Sequence, residues 1–498
     1  MGRVCDLKWF LLSAVCLSGR CSPGAPAPPP GNIAIIGAGI GGASAAYFMR
    51  QQFGKEVNID VYESEKVGGR LATASLGGRE YETGGSVIHS LNLHMKDFVK
   101  VLGLKEHSGQ DELLAVYDGS QFVFEQSDWY IINFLKMVWY YGFNFLRVQM
   151  WVEGILDRFM RIYRYQSHGY SFTTVEKLLE ALGGAEFAGM TNQSIDEALQ
   201  KAGISQKFIN EMVIPVMRVN YGQTVNINAF VGAVSLTGSD SDLWAVEGGN
   251  KRVCSGLLYS AKAHVITGKV TSVGFKNRPQ RNGKVSMFYE VNYETELGTD
   301  YSMYDVVVIA VPLRSGKPNI TFQDFSLPGK NLLGQYQQTV STLIHGRLNT
   351  SYFGYPDPRY FRSTTILTME YADGFFLSVS ASNPVELPTQ MPTQAHVWKV
   401  FSPEPLTKDQ LGQLFTSYTT VHETKWSAYP RYSSRVAIPP IILHNHVYYL
   451  NAIEWAASAM EMSAISAKNI ALLSFHRWYQ RLDRINQDGL QQKLKSEL

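Results

Sequence analysis

Residues 32–54, NIAIIGAGIGGASAAYFMRQQFG, followed at 57–64 by VNIDVYES, decide the fold. Asn32 to Ile36 is a short apolar run of the kind buried in parallel sheets. Gly37, Gly39 and Gly42 then spell GxGxxG, and small and apolar residues recur at helical spacing through Gln52. VNIDVY predicts a second strand, and Glu63 closes it about 20 residues past Gly42. Each residue type answers a need of a dinucleotide. A pyrophosphate wants bare backbone N–H groups and the positive end of a helix. In that scheme Gly37 makes the tight turn, Gly39 lets the backbone approach the phosphates, and Gly42 lets helix and strand close up. Glu63 accepts both ribose hydroxyls, and its charge repels a 2′-phosphate. A lone GxGxxG is weak, but strand, turn, helix, strand and acid in the right order are specific.

Working outward, VGGRLAT (67–73) brings Gly68, Gly69 and Arg70, and YETGGSVIH (81–89) brings Glu82, Gly84 and Gly85. This pattern resembles a large flavoprotein group that includes the amine oxidases and carotenoid desaturases. The resemblance implies FAD as cofactor and a Rossmann-type α/β FAD-binding domain. It also implies that Gly69 and Gly85 run along the FAD and that Arg70 touches the phosphates or the region near the flavin; the alternative for Arg70 is a surface ion pair. Further on, Gly248 and Gly249 precede a predicted helix, and HVITGKVTSVGF (264–275) alternates as one strand. In the resembling group the backbone at Val270 pairs with the adenine. Tyr304 to Pro312 reads as a buried strand ending in a proline turn. Near the C-terminus a strand is predicted to end at Asn451, with Glu454 and Trp455 leading into a long helix. That helix start is expected to face the flavin and to stabilise negative charge on it; Glu454 is either part of that flavin surface or a helix N-terminal charge.

The FAD-binding domain is therefore expected to be discontinuous, built from 31–95, 244–315 and 440–480, with an α+β substrate domain from 96–243 and 316–439 and a tail over 481–498. The first insertion contains SDWYIINFLKMVWYYGFNFLRVQMWVEGILDRFMRIYRY (127–165), which predicts one or two helices. Lys136, Arg147 and Glu153 interrupt it, against a simple membrane span. It reads as a helical cap and a wall for a greasy substrate, with docking on a membrane or lipid particle as the other reading. The second insertion, rich in Pro, Tyr and Thr, predicts mostly strands.

Residues 1–25 read as a signal peptide and leader, with Arg3 and Lys8 before the apolar run Trp9–Leu17. Cys5, Cys16 and Cys21 fall there, which leaves Cys254 without an internal disulfide partner; it reads as a small buried apolar residue. Sequons at Asn192, Asn319 and Asn349 suit a glycoprotein of the secretory pathway, lysosomal or secreted. The net charge of +2, without a Lys/Arg run, points away from nucleic acid. The histidines show no metal-ligand spacing, and no GxSxG elbow suggests a hydrolase.

Taken over its length, the chain resembles the prenylcysteine oxidase family. IAIIGAGIGG, GGSVIHSLNLHMKDFVK, MRIYRYQSHGYSF, PVMRVNYGQ, NAFVGAVSL and LWAVEGGNK carry the likeness, while YFGYPDPRYF and NAIEWAASAMEMSAISAKN look closer to its prenylcysteine oxidase-like branch. The resemblance implies an FAD-dependent thioether oxidase that takes S-farnesyl- or S-geranylgeranyl-cysteine and oxygen to cysteine, an isoprenoid aldehyde and hydrogen peroxide. The allylic carbon beside sulfur is a good hydride donor, so alignment and exclusion of water are the protein's main tasks, and no strong base is required. His89, just past the second glycine segment, is a weak catalytic candidate against a structural role. The alternatives are a secreted FAD-binding paralogue without turnover and an amine or polyene oxidase on the same fold.

Overall fold

The computed structural model describes residues 27–495 apart from 109–112, 239–242, 280–284, 316–319, 329–332, 387–396 and 435–436. The predicted leader and Asn319 lie outside the described residues.

One six-stranded sheet organises the molecule. Its order is His264–Thr267, Asn58–Glu63, Asn32–Ile36, Val306–Ile309, Val447–Tyr449 and Ile442–His444. The first five run parallel, and only the last pairing is antiparallel. Ile33, Ala34, Ile35, Val306, Val307 and Val308 are completely buried, as β-branched runs covered on both faces should be. The helix Ile40–Phe53 lies against the helices Met460–Trp478 and Lys251–Ser260. Its small first-turn residues permit this approach: a Cβ on Gly41 would stand 2.7 Å from Leu450 Cδ2.

Three expectations need correction. HVITGKVTSVGF is not one strand. The chain breaks at Gly268, whose N–H donates to the Glu63 carbonyl at 2.9 Å, so that His264–Thr267 ends the parallel sheet. Lys269–Pro279 then starts a separate four-stranded sheet. The C-terminal strand stops at Tyr449, and Asn451 and Glu454 sit in a 3-10 turn, Leu450–Trp455, before the helix begins at Met460. The aromatic stretch forms three helices, Tyr130–Tyr141, Asn144–Phe159 and Arg161–Ser167. Gly142, at φ +60°, caps the first by donating to the Val138 carbonyl at 2.9 Å, and the chain reverses there.

The second insertion does form strands, within a seven-stranded sheet of order Phe415–Pro430, Tyr336–Leu348, Val397–Ser402, Ser378–Ser382, Thr365–Thr368, Leu114–Tyr117 and Phe122–Glu125. The last two strands come from the first insertion, joined by the parallel pairing of Leu114–Tyr117 with Thr365–Thr368. Among the described residues no helix is long and apolar enough to cross a membrane.

Candidate cofactor and substrate site

A single cavity of about 1970 Å³ runs from the GxGxxG turn, across one face of the seven-stranded sheet, to the aromatic helices. This is about twice the upper end of ordinary ligand pockets, room for a dinucleotide and a second molecule together.

The cradle end is built by backbone. Gly37 has φ +106°, and a Cβ there would meet Val311 Cγ1 at 2.7 Å. A Cβ on Gly42 would lie 1.8 Å from the Gly37 carbonyl oxygen, so helix and turn touch with no space for a methyl group. The second glycine segment stacks on the first, Gly68 N–H donating to the Ala38 carbonyl at 3.0 Å. Gly39, Gly69 and Gly85 all line the cavity. Glu63 ends its strand at the same place; its Oε2 accepts from Ala38 N–H and its Oε1 from Glu65 N–H, both at 2.9 Å. Val270 is buried and does not line the cavity. It lies three residues past Thr267, the register partner of Glu63.

Arg70 and Glu454 form an ion pair that joins the second glycine segment to the C-terminal turn. Glu454 is wholly buried, whereas the Arg70 side chain keeps one-third of its surface, on the cavity. Arg70 Nη1 also donates to the Ala428 carbonyl at 2.6 Å. Asn451 Nδ2 donates to Glu454 Oε1 at 2.9 Å, and the Tyr336 hydroxyl donates to Oε2 at 3.2 Å. Burial alone would depress the Arg70 guanidinium, but Glu454 outweighs it and holds Arg70 above its ordinary value. Arg70 is thus in an ion pair, as its alternative reading has it, but on the cavity and with a wholly buried partner. The helix-charge reading of Glu454 fails, because five residues separate it from the helix, whose first turn carries Glu461 instead.

His89 lines the cavity and pairs with Leu243 across a short antiparallel bridge. Leu91 N–H donates to His89 Nδ1 at 3.1 Å, which assigns the ring proton to Nε2. Cys254 is buried, and that burial pushes its thiol up to about 12, far from reactive. Asn192 is exposed, while Asn349 is half-buried with its Nδ2 donating to the Gln413 carbonyl at 2.9 Å.

Several cavity residues carry no motif. Lys399, only 7% exposed, places Nζ at 3.4 Å from both the Glu82 carbonyl and Ser86 Oγ, above the Phe401 ring. Its one signal is a lysine inside the apolar strand VWKVF. Glu82 Oε1 accepts from Asn250 N–H at 2.7 Å, and burial pushes this carboxyl up to about 7. Glu461 accepts from His94 N–H at 2.7 Å, Met95 N–H at 3.0 Å and the Tyr163 hydroxyl at 2.8 Å, tying two helix starts together. The far end of the cavity is apolar, walled by Met137, Val152, Ile155, Leu156, Phe159 and Phe230. Among the described residues no group of His, Cys, Asp and Glu could hold a metal ion.

These residues fit FAD. Gly37, Gly39 and the start of the helix Ile40–Phe53 would hold the pyrophosphate, and Glu63 the ribose. Arg70, neutralised in part by Glu454, leaves a guanidinium edge on the cavity beside the stacked glycine loops, where an anionic group would be met.

Two family models match: "Prenylcysteine lyase" over residues 124–487 and "NAD(P)-binding Rossmann-like domain" over residues 35–102. Among solved structures, putrescine oxidase superposes with a TM-score of 0.58 at 13% identity, covering 88% of this chain and 98% of that one. Cyclohexylamine oxidase from Brevibacterium oxydans does so with a TM-score of 0.57 at 14% identity, covering 91% and 100%. These establish the fold. Human "Prenylcysteine oxidase 1" is 54% identical over 507 residues, covering 100% of both chains. Mouse "Prenylcysteine oxidase 1-like" is 48% identical over 477 residues, covering 94% of this chain and 95% of its own. The two stretches that look closer to the like branch are thus outweighed over the whole length. Similarity that runs through cradle, sheet and aromatic helices alike leaves one conclusion: the chain belongs to the prenylcysteine oxidase family.

Proposed function

We propose that this protein is an FAD-dependent thioether oxidase that converts an S-prenylcysteine, water and oxygen to cysteine, an isoprenoid aldehyde and hydrogen peroxide. The observation that carries the reading is the continuity of one cavity: a dinucleotide cradle opens into an apolar chamber, in a chain of this family. FAD, when bound, would supply the acceptor for a hydride and the route for two electrons to oxygen.

The chain's own residues bind, orient and exclude water. The apolar wall of Val152, Ile155, Leu156 and Phe159 suits the prenyl tail. That leaves the cysteine end toward Lys399 and Glu82, where a buried ammonium complements a carboxylate and a buried carboxyl complements an ammonium. The hydride leaves the allylic carbon next to sulfur, since sulfur and the alkene both stabilise the positive charge left behind. Water adds there, and the hemithioacetal breaks its C–S bond to give aldehyde and thiol. No residue need take a proton from carbon, which fits a cavity where His89, beside the second glycine segment, has its Nδ1 engaged by backbone.

The same reading places the protein in the secretory pathway, lysosomal or secreted. The leader and the exposed sequon at Asn192 support it.

Anaerobic addition of farnesylcysteine to the purified holoprotein tests the reaction. Bleaching of the visible flavin band, and its return with release of peroxide on admitting air, is the expected result. A flavin that stays oxidised with farnesyl- and geranylgeranyl-cysteine alike would sink the reading in favour of a binding protein.

A further inference from the structure

Arg314 lines the cavity, and none of the roles described above uses it. The strand Val306–Ile309 is the parallel neighbour of Asn32–Ile36, so the residues that follow it pass beside the glycine turn. Ala310 N–H donates to the Ile36 carbonyl at 2.8 Å, and Val311 Cγ1 is the atom that a Cβ on Gly37 would meet. Ala310, Val311, Pro312 and Arg314 all reach the cavity. Leu313 between them is buried, and its N–H donates to the Tyr449 hydroxyl at 3.2 Å. The backbone that carries Arg314 is thereby fixed at the cradle end.

Its surroundings leave the charge unpaired. The guanidinium stands 5.7 Å from the centre of the Tyr336 ring. Among the described residues no carboxylate forms an ion pair with it, and its Nε is buried without a hydrogen-bond partner. The carboxylates of the neighbourhood are committed elsewhere. Glu454 is held by Arg70, Asn451 and Tyr336, and Glu63 by the N–H groups of Ala38 and Glu65. Glu65 is exposed, where solvent and salt screen it. Burial draws the Arg314 guanidinium below its ordinary value; Tyr336, Glu454 and Glu65 pull it back, and Arg70 adds to the fall. Arginine keeps its proton even so. A half-buried cation without an anion is a costly arrangement, and it suits a charge that the chain itself does not supply.

Position identifies that charge. The groups that act on Arg314 electrostatically are Tyr336, Arg70, Glu454 and Glu65. Glu65 and Arg70 flank Gly68 and Gly69, the segment stacked on the glycine turn, and Glu454 closes on Arg70. Lys399, by contrast, stands against Glu82 and Ser86 on the seven-stranded sheet. The anion that a glycine turn and a helix start receive is a pyrophosphate. Its two negative charges exceed what the rest of the cradle offers. The helix Ile40–Phe53 contributes about half a positive charge at its start, and Arg70 is offset by Glu454. A second guanidinium closes that gap, and its planar fork matches two phosphate oxygens.

We propose that Arg314 is a second phosphate-binding residue of the FAD site, which meets the pyrophosphate together with the start of the helix Ile40–Phe53. The proposal rests on FAD as the cofactor and not on the thioether reaction. No sequence motif marks the residue, because it lies about 270 residues past the glycine turn and arrives there through strand pairing alone.

The test titrates full-length protein, stripped of flavin, with FAD and reads binding from flavin fluorescence. Arg314→Gln should bind FAD about tenfold or more weakly, the loss of a hydrogen bond to a charged group. Arg314→Lys should recover part of this as a point charge. ADP carries the pyrophosphate and no flavin, so its affinity, measured by calorimetry, should fall by a similar factor. Added salt should weaken FAD binding to the wild type more than to Arg314→Gln. Thermal melting separates binding from support. Without flavin the glutamine variant should melt at or above the wild type, because an unpaired cation has gone; with FAD it should melt below.

Equal FAD affinity in wild type and Arg314→Gln overturns the proposal. So does a glutamine variant that melts below the wild type without flavin, or does not fold, since the guanidinium would then be a structural prop. A loss confined to FAD, with ADP binding unchanged, overturns the pyrophosphate assignment in favour of the flavin ring. Unchanged FAD binding with a raised KM for farnesylcysteine gives Arg314 to the substrate carboxylate and overturns it too. The binding and melting results can be read in a protein that oxidises no thioether, so failure of that reaction leaves the proposal standing.

Discussion

At Gly42 there is no room for one methyl group; at Trp139, on the outer face of a helix that lines the same cavity through Asn133 and Met137, an indole stands 87% exposed. The cradle wall is made of backbone brought to van der Waals contact, with its side chains tied down: Glu63 to the glycine turn, Arg70 to Glu454, Glu82 to Asn250. The helical wall is made of side chains with apolar surface to spare. The first surface must hold a cofactor permanently in one pose, so it is rigid and specific. The second must admit a flexible hydrocarbon and release what remains of it, so it needs area and little direction. One cavity joins a fixed end to an adaptable one.

This contrast breaks first at Gly42. Gly42→Ala should strip the protein of flavin, lowering the FAD-to-protein ratio after gel filtration about tenfold or more, because the new carbon must displace the Gly37 carbonyl. Gly39→Ala sharpens the point. The nearest atom to its added carbon is the Gly68 carbonyl oxygen at 3.7 Å, so the fold should stand while the face that meets the pyrophosphate changes. A Gly42→Ala protein that stays fully yellow would show the contact to be soft.

The next effect is a pH dependence confined to the cradle. Burial raises the Glu82 carboxyl from 4.5 to about 7. Its contribution to stability is therefore complete below about pH 4.5 and is lost as pH rises through 7. Glutamine keeps the acceptor for Asn250 N–H and does not titrate. Glu82→Gln should thus match the wild type near pH 4.5 and gain on it with rising pH, by up to about 3 kcal/mol at pH 8 at about 1.4 kcal/mol per pH unit. Urea denaturation across that range measures the difference. A curve that is flat, or that rises toward acid, would show Glu82 to be ionised in the folded protein.

The smallest effect belongs to the outer wall. Trp139→Ser removes a large aromatic side chain yet should shift stability by no more than about 0.5 kcal/mol, since the indole is already in the open. Thermal melting checks this, and a loss of several kcal/mol would mean that the face has a partner within the fold.

The cradle was legible in the sequence because its constraints are local. Gly37, Gly39, Gly42 and Glu63 are set by one strand–turn–helix–strand unit, and the structure brings Gly37, Gly39 and Glu63 together with Gly69, Arg70 and Gly85 on one cavity, with Gly42 packed against Gly37. What was not legible depends on residues far away in the chain. Lys399 is defined by the carbonyl of Glu82, 317 residues earlier, and Glu461 by the N–H groups of His94 and Met95, more than 360 residues earlier. No spacing rule reaches across such intervals. Glu454 was visible as a charge, but its meaning came from Arg70 and Tyr336. The break at Gly268 was hidden for another reason: alternation persists on both sides of it, so the pattern reads through a point where the chain changes sheets.

The strand order bears on how the protein is made. Asn32–Ile36 emerges first from the ribosome and can pair at once with Asn58–Glu63, but its other neighbour, Val306–Ile309, is synthesised about 270 residues later, and the next strand, Val447–Tyr449, later still. At about 5–20 residues per second, the nascent chain spends tens of seconds with one edge of its central strand unpaired. The Arg70–Glu454 pair closes across 384 residues, so the cofactor cradle is completed only after residue 454 has been made. A chain interrupted before residue 440 can offer FAD its glycine turns but not the buried carboxylate that holds Arg70, and nascent-chain flavin capture should set in abruptly once residue 454 has been made.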